Sequence, residues 1–177
     1  MKLNGGDIRP TEDNVKDYRD MKPPRTIKDA WNLLSSFSYY QRFLKDFTRT
    51  AKPIADLLKG TQKLKNTTRI KWTAECEEAF QKLKDRITSC PILQLFDDKK
   101  ETYLQCDASS YAIGSVLLPK KGEKELKPVA FYSEKLPERK RHLCSFDLEL
   151  IVIEKSLKHF RNYCYMRPVQ SHIEQPS

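Results

Sequence analysis

The stretch "YLQCDASSYAIGSVLL", residues 103–118, decides the fold, because it sets one carboxylate, Asp107, between two apolar runs and follows it at once with small residues. Over "TYLQCDA" the pattern alternates, with Tyr103, Gln105 and Asp107 on one face and Leu104 and Cys106 on the other. That two-residue period is the signature of a half-buried strand. "AIGSVLLP" and "KPVAFYSEKL" are two further short β-rich runs, separated by the turn-forming "KKGEKE". Three strands in meander order are expected. The next long element, "SFDLELIVIEKSLKHFRNY", has Ser145 as its expected cap and is apolar nearly all round in its middle, which predicts a buried helix.

Upstream the period is helical. A short helix is expected over Glu12 to Asp20, and the Pro23-Pro24 pair then blocks helix just before Thr26, a good N-cap. From Ile27 the residues Ala30, Trp31, Leu34, Phe37 and Tyr40 recur at steps of three and four and form one apolar face. A second short helix is expected in "YYQRFLKDFT", and a third in "AKPIADLLKG", with Pro53 in a first turn and Gly60 at the C-cap. "TQKLKNTTRIKWT" reads as a connection ending at Thr73, the cap of a helix striped by Cys76, Phe80, Leu83 and Ile87 and stopped by Pro91. Trp31 and Trp72 are expected to anchor the core. "QLFDD", residues 94–98, reads as a turn.

Composition bounds the class. The 177 residues fit one domain or two small ones, and 38% hydrophobic and 32% charged residues with only five glycines exclude collagenous and wholly disordered chains. The net charge of +9 favours polyanionic partners, and between Arg42 and Lys71 nine Lys or Arg stand against two Asp. Five cysteines at wide, irregular spacings, without a zinc-type pairing, read as reduced thiols. The start lacks an apolar signal core, and no run approaches the roughly 18 apolar residues of a membrane span, so no membrane partner and an intracellular compartment, cytoplasmic or nuclear, are expected. His142, His159 and His172 are scattered, with no acidic or cysteine partner at a ligand spacing.

Two acids stand out. Asp107 ends a strand, and Glu149 lies early in a helix, between Leu148 and the apolar run Leu150 to Ile153. An ionised acid in an apolar run needs a cation or strong donors to offset its desolvation. Taken singly, a strand-end Asp fits a solvated position, and an early Glu fits the helix dipole.

The order strand with Asp, hairpin with Gly, third strand, helix with Glu resembles the first half of a ribonuclease H domain, and specifically that of gypsy-type long-terminal-repeat retrotransposon reverse transcriptases. Their D-A-S-x-x-x-x-G-x-V-L block is matched by Asp107, Ala108, Ser109, Gly114, Val116 and Leu117. Their P-V-A-x-x-S-x-K-L strand is matched by "PVAFYSEKL", and E-L-x-x-x-x-x-x-L-x-x-F-R-x-Y by Glu149, Leu150, Leu157, Phe160, Arg161 and Tyr163. "FSYYQRFLKDFTRTAKPIADLLKG" is similar to the segment that follows the polymerase palm, and "KWTAECEEAFQKLKDRITSCPIL" to the linker helix. Residues 8 to 168 carry the resemblance.

The resemblance implies an α/β (α+β) fold: a small helical thumb-like or connection segment over 1–69, then an incomplete ribonuclease H-like mixed sheet over 70–177, built as a three-stranded meander plus a long helix. It implies Asp107 and Glu149 as catalytic residues and as ligands of Mg²⁺, which takes hard oxygen donors and in pairs activates water and stabilises a leaving oxygen. It implies that Arg42, Lys45, Arg49, Lys52, Lys59, Lys63 and Lys65 contact an RNA:DNA hybrid or duplex nucleic acid, and that the polymerase palm and fingers lie on the same polyprotein. The inherited chemistry is two-metal hydrolysis of RNA in such hybrids beside RNA-directed DNA polymerase; the alternative is a non-catalytic nucleic-acid-binding remnant or an inactive element product. The family's third acid sits in a T-x-x-T-D-H block, whereas this chain reads "CYMRPVQSHIEQPS", where ungapped counting puts Glu174 in its place. The palm motif and the later acids are expected to be missing, leaving two ligands and a weak metal site.

Overall fold

The structure is a computed structural model that describes residues 2–4, 7–89, 93–119 and 127–173. The expected turn at 120–125, the helix stop at Pro91 and Glu174 lie outside the described residues. The chain forms two compact units, Pro10–Cys90 and Met1–Arg9 with Pro91–Ser177.

The first unit is helical: α1 (Glu12–Arg19), α2 (Ile27–Tyr39), a 3₁₀ turn at Gln41–Phe43, α3 (Phe47–Thr50), α4 (Lys52–Leu57) and α5 (Ala74–Thr88). Thr26 caps α2 reciprocally: the Asp29 amide donates to Thr26 Oγ1 at 3.2 Å and the Thr26 amide to Asp29 Oδ2 at 3.0 Å, satisfying two amides that the helix start leaves open. The stripe Cys76, Phe80, Leu83 and Ile87 of α5 is buried, as its spacing requires. Phe80 meets Phe37 edge-on at 6.4 Å and Trp72 at 6.1 Å, and Trp72 Nε1 donates to Glu77 at 2.7 Å.

Two details differ from expectation. Trp31 is 48% exposed, and Leu33 takes the core position with Ile27, Ala30 and Phe37; adjacent Leu33 and Leu34 leave the helix face undetermined by about 100° until neighbours choose it. The helix expected in "YYQRFLKDFT" is broken, because Asp46 adopts a left-handed conformation at φ 53°, which ends one helical turn and starts another. The motif order divides the chain at 69/70, whereas packing joins α5 to the helices before it, since its apolar stripe closes their core.

The second unit holds two sheets. The opening residues form β1 (Lys2–Asn4) and β2 (Asp7–Arg9), which pair antiparallel with each other, and β2 pairs antiparallel with β3 (Leu93–Gln94). The main sheet contains β4 (Thr102–Ala108), β5 (Ala112–Pro119), β6 (Ala130–Lys135) and β7 (Val169–Ile173) in the order β6-β5-β4-β7. The expected meander is β4-β5-β6, and β7 adds a fourth strand, parallel to β4, with Thr102 beside Val169 and Cys106 beside Ile173. A parallel strand needs a crossover, and α6 (Ser145–His159) with the short α7 (Arg161–Cys164) supplies it.

α6 lies on one face of this sheet. Leu148, Val152 and Phe160 pack with Leu104, Cys106, Ile113 and Leu117. Ser156 Oγ donates to Ser115 Oγ at 2.7 Å, both buried. Partial burial pushes the Glu134 carboxyl upward, but hydrogen bonds from Lys155 and Tyr132 outweigh it and hold it below the ordinary 4.5. His159 stacks on Tyr132 with ring centroids 4.3 Å apart. Contrary to expectation, α6 is not buried all round: Phe146 and Leu150 are exposed, because only the arc facing the sheet finds partners. Its N-cap is Cys144, not Ser145, whose hydroxyl instead donates to Glu149 at 3.4 Å. Cys76, Cys106, Cys144 and Cys164 are free thiols, and burial pushes the Cys106 thiol up to about 11.

Three outcomes follow from this packing. Phe80→Ala lowers the stability of the helical unit by about 3–5 kcal/mol in denaturant unfolding, whereas Trp31→Ala stays within about 0.5 kcal/mol. Ser156→Ala strands the Ser115 hydroxyl and costs about 1–3 kcal/mol, and the Ser115→Ala/Ser156→Ala double variant loses less than the sum of the singles. Because the Glu134 carboxyl is lowered on folding, its contribution is fully present above its unfolded value and fades as pH falls through its folded one; thermal melts from neutral to acid pH show the gap between the parent and Glu134→Gln closing below 4.5, and a pH-independent gap contradicts the ion pair.

Candidate functional site

Asp107 is the next-to-last residue of β4 and pairs with Gly114 of β5, which in turn pairs with Ser133 of β6. The turn after it is tied by Ser109, whose Oγ donates to the Ala112 carbonyl at 2.9 Å and accepts from the Ala112 amide at 3.1 Å. Ser109 therefore fastens a three-residue hairpin after Asp107. Strand alternation puts Asp107 with Gln105 on the face opposite Leu104 and Cys106, the face that α6 covers.

Glu149 is the fifth residue of α6 and half-buried. After β6 the Leu136 amide donates to the Tyr111 carbonyl of the β4–β5 turn at 2.8 Å, a loop with a 3₁₀ turn at Glu138–Lys140 leads to α6, and α6 runs back toward the start of β7 beside Thr102. Ser156 lies level with Ser115, the partner of Cys106. Glu149 is seven residues nearer the helix start, or about 10 Å along the axis, and Asp107 is one residue, about 3 Å, beyond Cys106. Both displacements run toward the C-terminal end of β4. Asp107 thus lies on the sheet face opposite the one that α6 covers, and Glu149 on the helix that covers the other. Among the described residues no group of three or more His, Cys, Asp or Glu side chains is arranged to hold a metal.

The seven expected nucleic-acid contacts all lie in the helical unit. Lys52 and Lys59 both pair with Asp56, at 2.9 and 2.7 Å, so part of that charge is compensated. Lys45, Arg49, Lys63 and Lys65 are exposed, and Arg42 is half-buried with its guanidinium 5.7 Å from the Phe43 ring centre. A second cationic group, not singled out from the sequence, surrounds Tyr111: Lys135 Nζ and Arg141 Cζ sit 5.5 and 5.4 Å from its ring centre. The run "KLPERKRH", residues 135–142, is the signal that could have found it. No helix among the described residues is long and apolar enough to cross a membrane.

Residues 72–171 match the RNase H-like domain found in reverse transcriptase. The chain is 32% identical over 154 residues to the Transposon Tf2-3 polyprotein of Schizosaccharomyces pombe, and equally to its Tf2-4 polyprotein, covering 87% of this chain and 11% of each relative. The chain thus spans about a tenth of the length of these curated relatives. A foamy viral protease-reverse transcriptase solved with double-stranded DNA shares the fold at a TM-score of 0.79 and 19% identity, over 96% of this chain and 29% of that one. The foamy viral enzyme solved with an RNA/DNA hybrid gives 0.78 and 20%, over 94% and 22%. By the match over more than half its length, its motif order and its mixed sheet, the chain belongs to the family of RNase H-like domains found in reverse transcriptases, in the form carried by retrotransposon polyproteins of the gypsy type.

Proposed function

We propose that this chain is the part of a reverse transcriptase that holds an RNA:DNA hybrid against a carboxylate-bound divalent ion, with Asp107 and Glu149 as the protein ligands. The observation that supports this best is the placement of both acids toward one end of β4 by a strand and a crossover helix of opposite direction. Mg²⁺ is commonly held by one or two carboxylates completed by water and substrate phosphates, so a two-acid donor set fits that ion when a nucleic acid supplies the remaining oxygens. When bound, the ion would supply an activated water and charge neutralisation at the scissile phosphate.

The chain's own residues do the rest. Ser109 fixes the turn that orients the end of β4, and Gly114, opposite Asp107, presents no side chain to the approaching strand. Arg42, Lys45, Arg49, Lys63 and Lys65 supply sequence-independent phosphate contacts, with Lys52 and Lys59 joining them as Asp56 yields, so affinity falls steeply with salt.

Hybrid binding measured by fluorescence anisotropy with and without Mg²⁺ tests the proposal apart from turnover. The parent gains affinity on adding Mg²⁺. Asp107→Asn and Glu149→Gln bind at least as tightly as the parent in EDTA, since each loses a charge that repels phosphate, and gain little from the ion. An equal Mg²⁺ gain in parent and both variants sinks the assignment of the two acids.

A further inference from the structure

α6 carries two arcs, and the fold uses one of them. Leu148, Val152 and Ser156 are buried toward the sheet. Phe146, Leu150, Ile153 and Leu157 recur at steps of four, three and four. At 100° per residue they fall within about 60° of arc, centred about 130° from the buried one. Phe146 is 65% exposed, Leu150 52% and Leu157 38%, with Ile153 half-buried between them. A single exposed leucine needs no explanation, but an apolar strip continuous over three helical turns marks a contact surface. The four-three-four step is also the seam spacing at which two helices interlock their side chains.

Charge decides what the strip fits. The first half of α6 carries Asp147 and Glu149 and no base, whereas the second half carries Lys155 and Lys158 against Glu154. A second α6 running the same way would set acid beside acid and align the helix dipoles. One running the opposite way sets each acidic half along a basic half and opposes the dipoles. About a two-fold axis between Leu150 and Ile153, Phe146 meets Leu157 of the second copy and Leu150 meets Ile153. Asp147 and Lys158 are eleven residues apart, about 16 Å of rise, so they do not touch within one helix, yet they lie on the same flank of the strip. The two-fold brings Asp147 of each copy to within about 3 Å of rise of Lys158 of the other. Lys158 pairs with Glu154 on its own helix at 2.5 Å, with both side chains widely exposed, and an ammonium with three donors serves a second acid as well.

We propose that the exposed strip of α6 is a self-association surface, on which a second copy of this chain docks its own α6 antiparallel about a two-fold axis. The fifteen residues of α6 give about 22 Å of helix on each side. That length puts the contact at the low end of specific interfaces, below roughly 1,200 Å², so monomer and dimer exchange and the dimer fraction rises with protein concentration. The inference goes beyond the proposed nucleic-acid function and does not depend on it.

Sedimentation velocity of the full chain over a concentration series, without nucleic acid, tests this pairing. The parent shifts from monomer to dimer as concentration rises and stops there, because a two-fold contact closes on itself. Leu150→Lys, at an exposed position beside the axis, stays monomeric throughout with its circular dichroism unchanged. Trp31→Lys, which removes an exposed apolar side chain from the helical unit, leaves the dimer as it was. Asp147→Lys and Lys158→Glu each weaken dimerisation about tenfold, since every reversed contact occurs twice. An equal mixture of these two variants recovers the dimer, because each chain then meets opposite charge on the other at both contacts, and a folding defect in either gives no such recovery. A parent that stays monomeric, or a Leu150→Lys variant that dimerises like the parent, overturns the inference. Growth past the dimer, or a mixture that fails to recover, overturns the antiparallel pairing.

Discussion

The second unit depends on one packing event, the seating of α6 across β4 and β5. Because β7 runs parallel to β4, the chain has to return along the sheet before pairing, and α6 is that return. Its Leu148–Val152–Ser156 arc meets Leu104, Cys106, Ile113 and Leu117. An all-apolar contact tolerates sliding by a turn. The hydrogen bond from Ser156 to Ser115, in a layer that excludes water, does not, because a shifted helix leaves two hydroxyls unpaired. Lys155 on Glu134 and His159 on Tyr132 fix the same register from the β6 side. The height of Glu149 relative to the end of β4 is a consequence of that register.

Charge is distributed according to face. The α6 side of the sheet is apolar apart from the Ser156–Ser115 and Glu134–Lys155 contacts. The opposite side carries Asp107 and Lys135 on strands whose partners are Gly114 and Ala112. This arrangement leaves an acid and a cation on one face, two strands apart, with little bulk between them. In the helical unit a single acid, Asp56, engages two of the lysines at once, which leaves the positive excess in place.

The positions of the two proposed acids in their elements were legible because they sit in local patterns. Asp107 at the end of an alternating strand and Glu149 early in a helix follow from spacing, and the family resemblance supplied their roles. The Tyr111–Lys135–Arg141 group was not legible, since its members come from a turn, a strand end and a loop that only pairing brings together. The basic run at 135–142 gave a charge signal without direction. Ser109 was read only as one of the small residues after Asp107, whereas its hydroxyl closes the turn.

By itself the sequence determined the periods, the order of elements, the α5 stripe and the Thr26 and Thr73 caps, all of which depend on residues within a turn or two of one another. Only the tertiary structure decided that β7 joins beside β4, that Leu33 and not Trp31 enters the core, that one arc of α6 is covered, and that Asp107 faces away from it. Those choices depend on which distant surface is available to bury an apolar face. A short-range pattern states how many faces are apolar and leaves their partners to long-range pairing and strand parity.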